Sequence, residues 1–354
     1  MEQPTPNFQW TEGFQAGYAA AYSDGYKAGM EAARTELYTQ SREDYKRAKY
    51  EAKAQKRREK QRERERRRES FLNAGATPAA PKPANKRRVN EATVTGRQEL
   101  SPNMVRIFAN APGLQGMDLD KTDHYIKIIF APPGAQYCWP FDFEEAKKTQ
   151  PKDFRPVTRT YTLRRVDTRT GDMAIDFVIH GDAGIAGPWA RDVEVGATFG
   201  FRGPGGGWSP TADYDHFVLA GDESASPAIA AGLEKIPAGS TAIAFVEVEA
   251  EGHQMPMPER EDVEVRFVMR NGAMPGTALS RAVRNYTPPA GHTAWFIHGV
   301  AEMVKDLRRN LFVERQVAKK DASVSGYWRL KMTEDQWQAT KHTFVAEMEA
   351  QESS

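Results

Sequence analysis

The chain has 354 residues, 40% hydrophobic and 10% aromatic, which is more than one core usually fills and enough apolar material for two, so two domains plus an extension are expected. Net charge is only +1, yet Arg42 to Glu69 alone holds fourteen Lys or Arg against seven Asp or Glu, which leaves the remainder acidic and makes whole-chain charge a poor guide to partners. One cysteine, Cys138, excludes an intramolecular disulfide, and no run approaches the ~18–20 apolar residues that cross a bilayer, so a cytoplasmic protein in a reducing compartment is expected. The opening MEQPTPNFQW has neither the basic start nor the apolar core of an export signal.

In the first forty residues Gly13, Gly17, Gly25 and Gly29, with Ala21 and Ala33 in register, run beside Phe14, Tyr18, Tyr22 and Tyr26. At helical spacing this is a small-residue stripe next to an aromatic stripe, a pattern that lets two helix backbones approach. Asp24, Lys27 and Glu31 argue against a lipid setting. The expectation is a soluble helix pair, within or between chains, with a partly disordered tail as the competitor; residues 1–70 would then carry self-association or a protein partner. The Arg42–Glu69 run has almost no apolar face and reads as a solvated helix or tail. Its interleaved glutamates weaken a nucleic-acid reading. NAGATPAAPKPANKRR, with Pro78, Pro81 and Pro83, has linker composition, so residues 1–88 form a charged helical or disordered extension.

From there the texture is short β-type runs between turn signals: MVRIFA, YIKIIF, TRTYTLRR, MAIDFVIH and ATFGF. That spacing predicts an antiparallel barrel over residues 89–210, six-stranded in the full expectation. Beyond Tyr214, HFVLAGD, AIAFVEVE, VEVRFVMR and TAWFIHG are buried-strand candidates, separated in part by SPAIAAGLEKI, ALSRAVRNY and AEMVKDLRRNLFVERQ. Strands alternating with helices predict a doubly wound parallel sheet over residues 211–354, with a C-terminal helix.

Three stretches carry chemistry. RTYTLRR places Arg159 and Tyr161 on one face of a strand and Thr160 and Thr162 on the other, and a twist or bulge can gather them round one ligand. Arginine for phosphate, tyrosine for a flat ring and threonine for a ring heteroatom suit a flavin nucleotide, although an ordinary surface strand could look the same. IDFVIHGDAGIAGPWA ends a strand at His180 and Gly181 and enters a short helix, its small residues letting backbone N–H groups reach a phosphate. FVLAGDESASPAIAAGLEKIP closes an apolar strand at Gly221, forms a loop at Asp222, Glu223 and Ser224, and starts a helix near Pro227, where open α/β sheets bind ligands. No metal-ligand spacing joins the seven histidines to the cysteine, and no GxSxG hydrolase elbow occurs.

In this order, RTYTLRR, IDFVIHGDAGIAGPWA and LAGDESASPAIAAGLE resemble the siderophore-interacting protein family of flavin reductases, within the ferredoxin-reductase superfamily. SPNMVRIFANAPGL, YIKIIFAPPG and the GYWR at Gly326 to Arg329 are similar to further signatures of that family, and the likeness covers roughly residues 89–337. It implies FAD in the barrel, with Arg159, Tyr161 and Thr162 on the flavin and its phosphates and His180, Gly181, Gly184, Ala186, Trp189 and Ala190 around the pyrophosphate. It implies NADH or NADPH at Gly221, Asp222, Glu223 and Ser224, handing a hydride to the flavin, whose electrons then reduce Fe(III) in a ferric siderophore and release Fe(II). Arg329 and Lys331, and less so Arg164, are the basic candidates for an anionic ferric complex.

The chain departs from the family pattern at Ser224, at Gly184 to Ala186 with the proline displaced to Pro188, at Lys331, and at Gly299–Val300, where a Gly–Glu pair is expected. Glu249 and Glu251 favour NADH, while Arg270 could pair with the 2′-phosphate of NADPH; the balance leans to NADH. Two rival readings stand beside the reductase: an electron-transfer module serving a protein partner, and a binding scaffold that has lost catalysis, for which Val300 is the support.

Overall fold

A computed structural model describes residues 88–182 and 184–352. The small-residue stripe, the charged run and the proline linker lie outside these residues.

The first half closes into an antiparallel barrel of six strands in the order β1-β2-β5-β4-β3-β6. These are β1 (Val89–Ser101), β2 (Met104–Asn110), β3 (Tyr125–Phe130), β4 (Val157–Asp167), β5 (Asp172–Val178) and β6 (Thr198–Gly205). Alternation fills the inside with Val94, Ile107, Ile126, Ile128, Ile175, Phe177, Phe199 and Phe201. β4 slips register against β5 between Leu163 and Arg165, a bulge just beyond the RTYT part of the motif. A helix α1 (Phe143–Thr149), started by Asp142 accepting from the Glu145 N–H, sits in the long β3–β4 connection, and α2 (Ala186–Asp192) follows β5.

The second half is a parallel sheet ordered β11-β10-β7-β8-β9. Its strands are β7 (His216–Gly221), β8 (Thr241–Val248), β9 (Val263–Met269), β10 (Thr293–Val300) and β11 (Ala322–Trp328), with helices α3 (Ser226–Leu233), α4 (Thr277–Arg284), α5 (Ala301–Arg309) and α6 (Glu334–Glu352). α3 covers one face through Ala228, Ile229 and Leu233. α4 and α5 cover the other through Leu279, Val283, Met303, Val304 and Leu307. From β7 the chain winds outward to β8 and β9, then returns to lay β10 and β11 on the other side, so the order reverses between β7 and β10.

Barrel and sheet share a core in which Met104 of β2 packs among the residues around α3. Arg164 belongs to this seam. It is 7% exposed and pairs with Glu234, at the end of α3, at 2.7 and 3.1 Å. α6 is fastened by Trp337, Phe344 and Met348, a stripe that packs on Ala301.

Candidate functional site

A cleft of about 790 Å³ opens between the barrel and the carboxyl ends of the sheet strands. Its barrel wall is Tyr125 and Lys127 of β3, Thr160, Tyr161 and Thr162 of β4, Asp176 and Val178 of β5, and His180. The sheet side presents Asp222, Glu223, Ser224, Pro227, Glu249, Arg270, Pro275, Ser325, Tyr327 and Trp328, and α6 adds Glu334, Gln338 and Lys341.

In the β4 motif, Thr160, Tyr161 and Thr162 all reach the cleft. The Tyr161 ring is backed by Phe177 at 4.2 Å between centroids, and burial pushes its hydroxyl up. Arg159 lies beside the cleft, held by the first turn of α6: its guanidinium donates to Asp335 at 3.2 Å and stands 3.9 Å from Glu334. Glu334 also accepts from the Thr160 N–H at 3.1 Å and hydroxyl at 3.0 Å, and burial raises its carboxyl. α6, which sequence motifs did not connect to this site, therefore caps the motif.

The second stretch divides. His180 is exposed at the cleft wall, and Gly181 and Gly184 turn at φ +56° and +81° with open space around them. Ala186 and Ala190 are buried in the barrel core. Trp189 packs there too, against Phe130, Phe177 and Phe199, and does not line the cleft.

The third stretch turns largely inward. Asp222 is 1% exposed; it accepts from the Val300 N–H at 2.7 Å, from Trp328 Nε1 at 2.8 Å and from the Ser224 N–H and hydroxyl. Burial raises its carboxyl, and these donors oppose the rise. The contact ties the ends of β7, β10 and β11 together, and it explains Gly299, where φ is +135° and an added Cβ would lie 2.8 Å from the Asp222 carboxylate. Gly221 is equally confined, its Cβ position 2.6 Å from the His298 carbonyl oxygen. Val300 is fully buried among the α4–α5 residues, so the departure from glutamate leaves an apolar side chain in the core and a backbone donor on Asp222. Glu223 is 4% exposed and bonded to Arg270.

The basic candidates are placed elsewhere. Arg164 is occupied in the β4–α3 seam, Arg329 pairs with Glu302 at 3.3 Å and lies over the Phe344 ring, and Lys331 is exposed in a left-handed turn at φ +60°. None of the three lines the cleft. Lys127 and Lys341 do, brought together from β3 and α6, and burial with the charge of Lys127 pulls the Lys341 ammonium down. Their separation of more than two hundred residues left no local signal.

Behind the wall a chain of polar groups runs through the sheet. His298 is 3% exposed, with Nδ1 3.0 Å from the Tyr327 hydroxyl and Nε2 3.0 Å from the Ser323 hydroxyl; burial pulls it down to about 3, and it is neutral. These residues fit a flavin nucleotide: the cleft offers an aromatic wall at Tyr161 and hydroxyls at Thr160 and Thr162, with the Arg159 guanidinium alongside.

Comparison with known proteins agrees with this geometry. Residues 93–208 match the siderophore-interacting FAD-binding domain, and residues 214–331 match the siderophore-interacting protein description. Ferric vibriobactin reductase ViuB of Vibrio cholerae is 28% identical over 253 residues, 71% of this chain and 93% of that protein. The NADPH-dependent ferric-chelate reductase of Escherichia coli is 28% identical over 250 residues, 70% and 95% of the two chains. The crystal structure of a siderophore utilization protein from T. fusca superposes with a TM-score of 0.60 at 30% identity, covering 70% of this chain and 95% of that one. Motif order, barrel, parallel sheet and matched residues converge: the chain belongs to the siderophore-interacting protein family.

Proposed function

We propose that the protein is an FAD-dependent ferric-siderophore reductase driven by a nicotinamide nucleotide. The observation that carries this is the shared cleft in which the β4 motif and the loop after β7 face one another. The relatives named as ferric reductases support it. The chemistry FAD supplies when bound is acceptance of a hydride from the nucleotide and release of single electrons to Fe(III).

Residues 89–210 hold the flavin and residues 211–354 the nucleotide. Tyr161 gives the ring a flat wall, and Thr160 and Thr162 supply hydroxyls at its edge. Arg159 serves the phosphates once its Glu334 and Asp335 contacts are exchanged for them. His180, Gly181 and Gly184 form the turn nearest the pyrophosphate, whereas Ala186, Trp189 and Ala190 support that turn from the core. At the other end Ser224 and the Glu249–Arg270 corner receive the nucleotide. Asp222 and Gly221 act by fixing the ends of β7, β10 and β11. Lys127 and Lys341 replace Arg164, Arg329 and Lys331 as the cations that attract an anionic ferric complex. Hard oxygen donors hold Fe(III) far better than Fe(II), so reduction is release.

We infer NADH as the donor, although the E. coli relative is named for NADPH. Glu249 stands at the cleft wall, and Arg270 is already engaged by carboxylates. The loss-of-catalysis reading has less support, because Val300 keeps its backbone N–H on Asp222 and its side chain fills the core. A cytoplasmic setting fits the lone cysteine, and no helix among the described residues is long and apolar enough to cross a membrane.

The test is anaerobic. Protein with FAD is mixed with NADH or NADPH in parallel, flavin bleaching is followed, and a ferric siderophore is added with a ferrous chelator. Bleaching, reoxidation and Fe(II) capture without any partner protein are expected. Bound FAD that neither nucleotide bleaches overturns the proposal.

A further inference from the structure

Arg270, at the end of β9, is the arginine of the cleft wall, and it is not free. Nη2 donates to Glu223 at 2.9 Å, and Nη1 donates to Glu223 and to Glu247 at 3.2 Å each. The Arg270 side chain is 13% exposed, Glu223 is 6%, and Glu247 is fully buried. Glu247 is committed as well, since it accepts the N–H groups of Gly276 at 2.8 Å and Leu279 at 3.3 Å where α4 begins. Glu223 makes no such backbone contacts among the described hydrogen bonds, so its partner is the guanidinium alone. The one guanidinium thus faces two carboxylates, and Glu249 adds a third acidic residue to the cleft wall.

The position gives this pairing a consequence. The corner lies beyond the carboxyl ends of β8 and β9, where a doubly wound sheet receives the adenosine ribose of a dinucleotide. A ribose 2′-phosphate would need a guanidinium with an open face and would meet excess negative charge, whereas a free 2′-hydroxyl needs only an acceptor such as Glu249. Selectivity of this kind comes as much from what a site withholds from the wrong ligand as from what it offers the right one.

We propose that Glu223 is a specificity-determining residue: by holding Arg270 bidentately across the β7–β9 corner, it withholds the guanidinium from a 2′-phosphate and sets the enzyme for NADH. This rests on the reading that a nicotinamide nucleotide docks at the sheet end of the cleft. The sequence motif GDES thus carries both a strand clamp, Asp222, and a cofactor filter, Glu223.

The test uses the full FAD-loaded chain and two readouts. One is the ratio of kcat/KM for NADPH over NADH in flavin reduction; the other is the dissociation constant of 2′,5′-ADP against 5′-AMP by calorimetry, which needs no turnover. Glu223→Gln keeps size and removes the charge, and it should shift both ratios toward the 2′-phosphate at least tenfold. Glu259→Gln removes an equal charge from an exposed side chain off the cleft wall, without releasing Arg270, and should shift them much less. In Glu223→Gln/Arg270→Gln the gain should disappear while flavin content is kept. Equal shifts in the two single variants reduce the effect to net charge and overturn the proposal, as does a wild-type protein that prefers NADPH. Normal NADH reduction with unchanged selectivity in Glu223→Gln overturns this inference alone; failure of the wild-type protein to bind either adenosine nucleotide overturns the docking reading and this inference with it.

Discussion

The two ends of the cleft use their motifs in opposite ways. At the barrel end, Thr160, Tyr161 and Thr162 all present themselves to the cleft. At the sheet end, Asp222 and Glu223 are 1% and 4% exposed, and each carboxylate is taken up by the protein's own donors. A strand residue has its direction fixed by the two-residue repeat, modified here by one bulge. A loop residue beyond a strand is free to turn back, and the Val300 N–H at the end of β10 with the Trp328 indole N–H at the end of β11 draws the Asp222 carboxylate inward. One motif therefore presents its side chains to the cleft, and the other mainly fixes the strand ends behind it.

The comparison is broken most sharply at Asp222. In Asp222→Ala the Val300 N–H and Trp328 Nε1–H lose their acceptor, and leaving a buried donor unsatisfied costs about 1–3 kcal/mol each. A loss of several kcal/mol in urea unfolding is expected, with Asp222→Asn intermediate because its amide oxygen still accepts. Unchanged stability with an altered nucleotide KM would instead make Asp222 a ligand contact.

Acid provides the next test, again at the sheet end. His298 has an ordinary value of 6.5 and a folded value of about 3, so between these the unfolded chain takes up the proton and the folded chain does not. Stability conferred by the neutral ring is thus full above about 6.5 and declines by as much as about 1.4 kcal/mol per pH unit below it. Urea midpoints between pH 7 and pH 4 should fall, and His298→Gln should flatten that limb. A limb unaffected by the substitution would place the acid sensitivity elsewhere.

How much of this was legible follows from the same contrast. Strand parity made RTYTLRR readable, and β-type runs located nine of the eleven strands among the described residues, YIKIIF and TAWFIHG among them. β1 was missed because its inward residues are Asn90, Ala92 and Val94, too small and mixed to stand out. β11 escaped because it is an edge strand with no clear alternation. The roles of Trp189, Arg164 and Asp222 depended on which neighbours the fold delivers, namely Phe177, Glu234 and the Val300 N–H. No spacing encodes those partners, and the same holds for the Lys127–Lys341 pair and for Glu334 on Thr160.

At the barrel end the sharpening experiment is Tyr161→Ser. An aromatic contact is worth about 0.5–1.5 kcal/mol beyond the area it buries, so FAD affinity should fall about tenfold or more. The ratio of flavin to protein absorbance after gel filtration reads this directly. Trp189→Phe, a change in the core behind the wall, should lower thermal stability more than FAD affinity; the reverse order would return Trp189 to the ligand.

The smallest effect separates the cleft cations from those the sequence nominated. Lys127 and Lys341 face the cleft without a carboxylate among their described hydrogen bonds, while Arg329 is tied to Glu302 and Lys331 faces solvent. An ion contact of this exposure contributes about 0.2–1 kcal/mol and is screened by salt. Lys127→Gln and Lys341→Gln should each raise the KM for an anionic ferric siderophore about two- to fivefold at low ionic strength, a difference that shrinks at high salt, while kcat and nucleotide KM stay put. Lys331→Gln, which removes the same charge outside the cleft, should do neither. If instead Lys331→Gln raises the KM and the cleft lysines do not, the ferric complex docks over the β11–α6 turn, and the barrel side of the cleft is reserved for FAD alone.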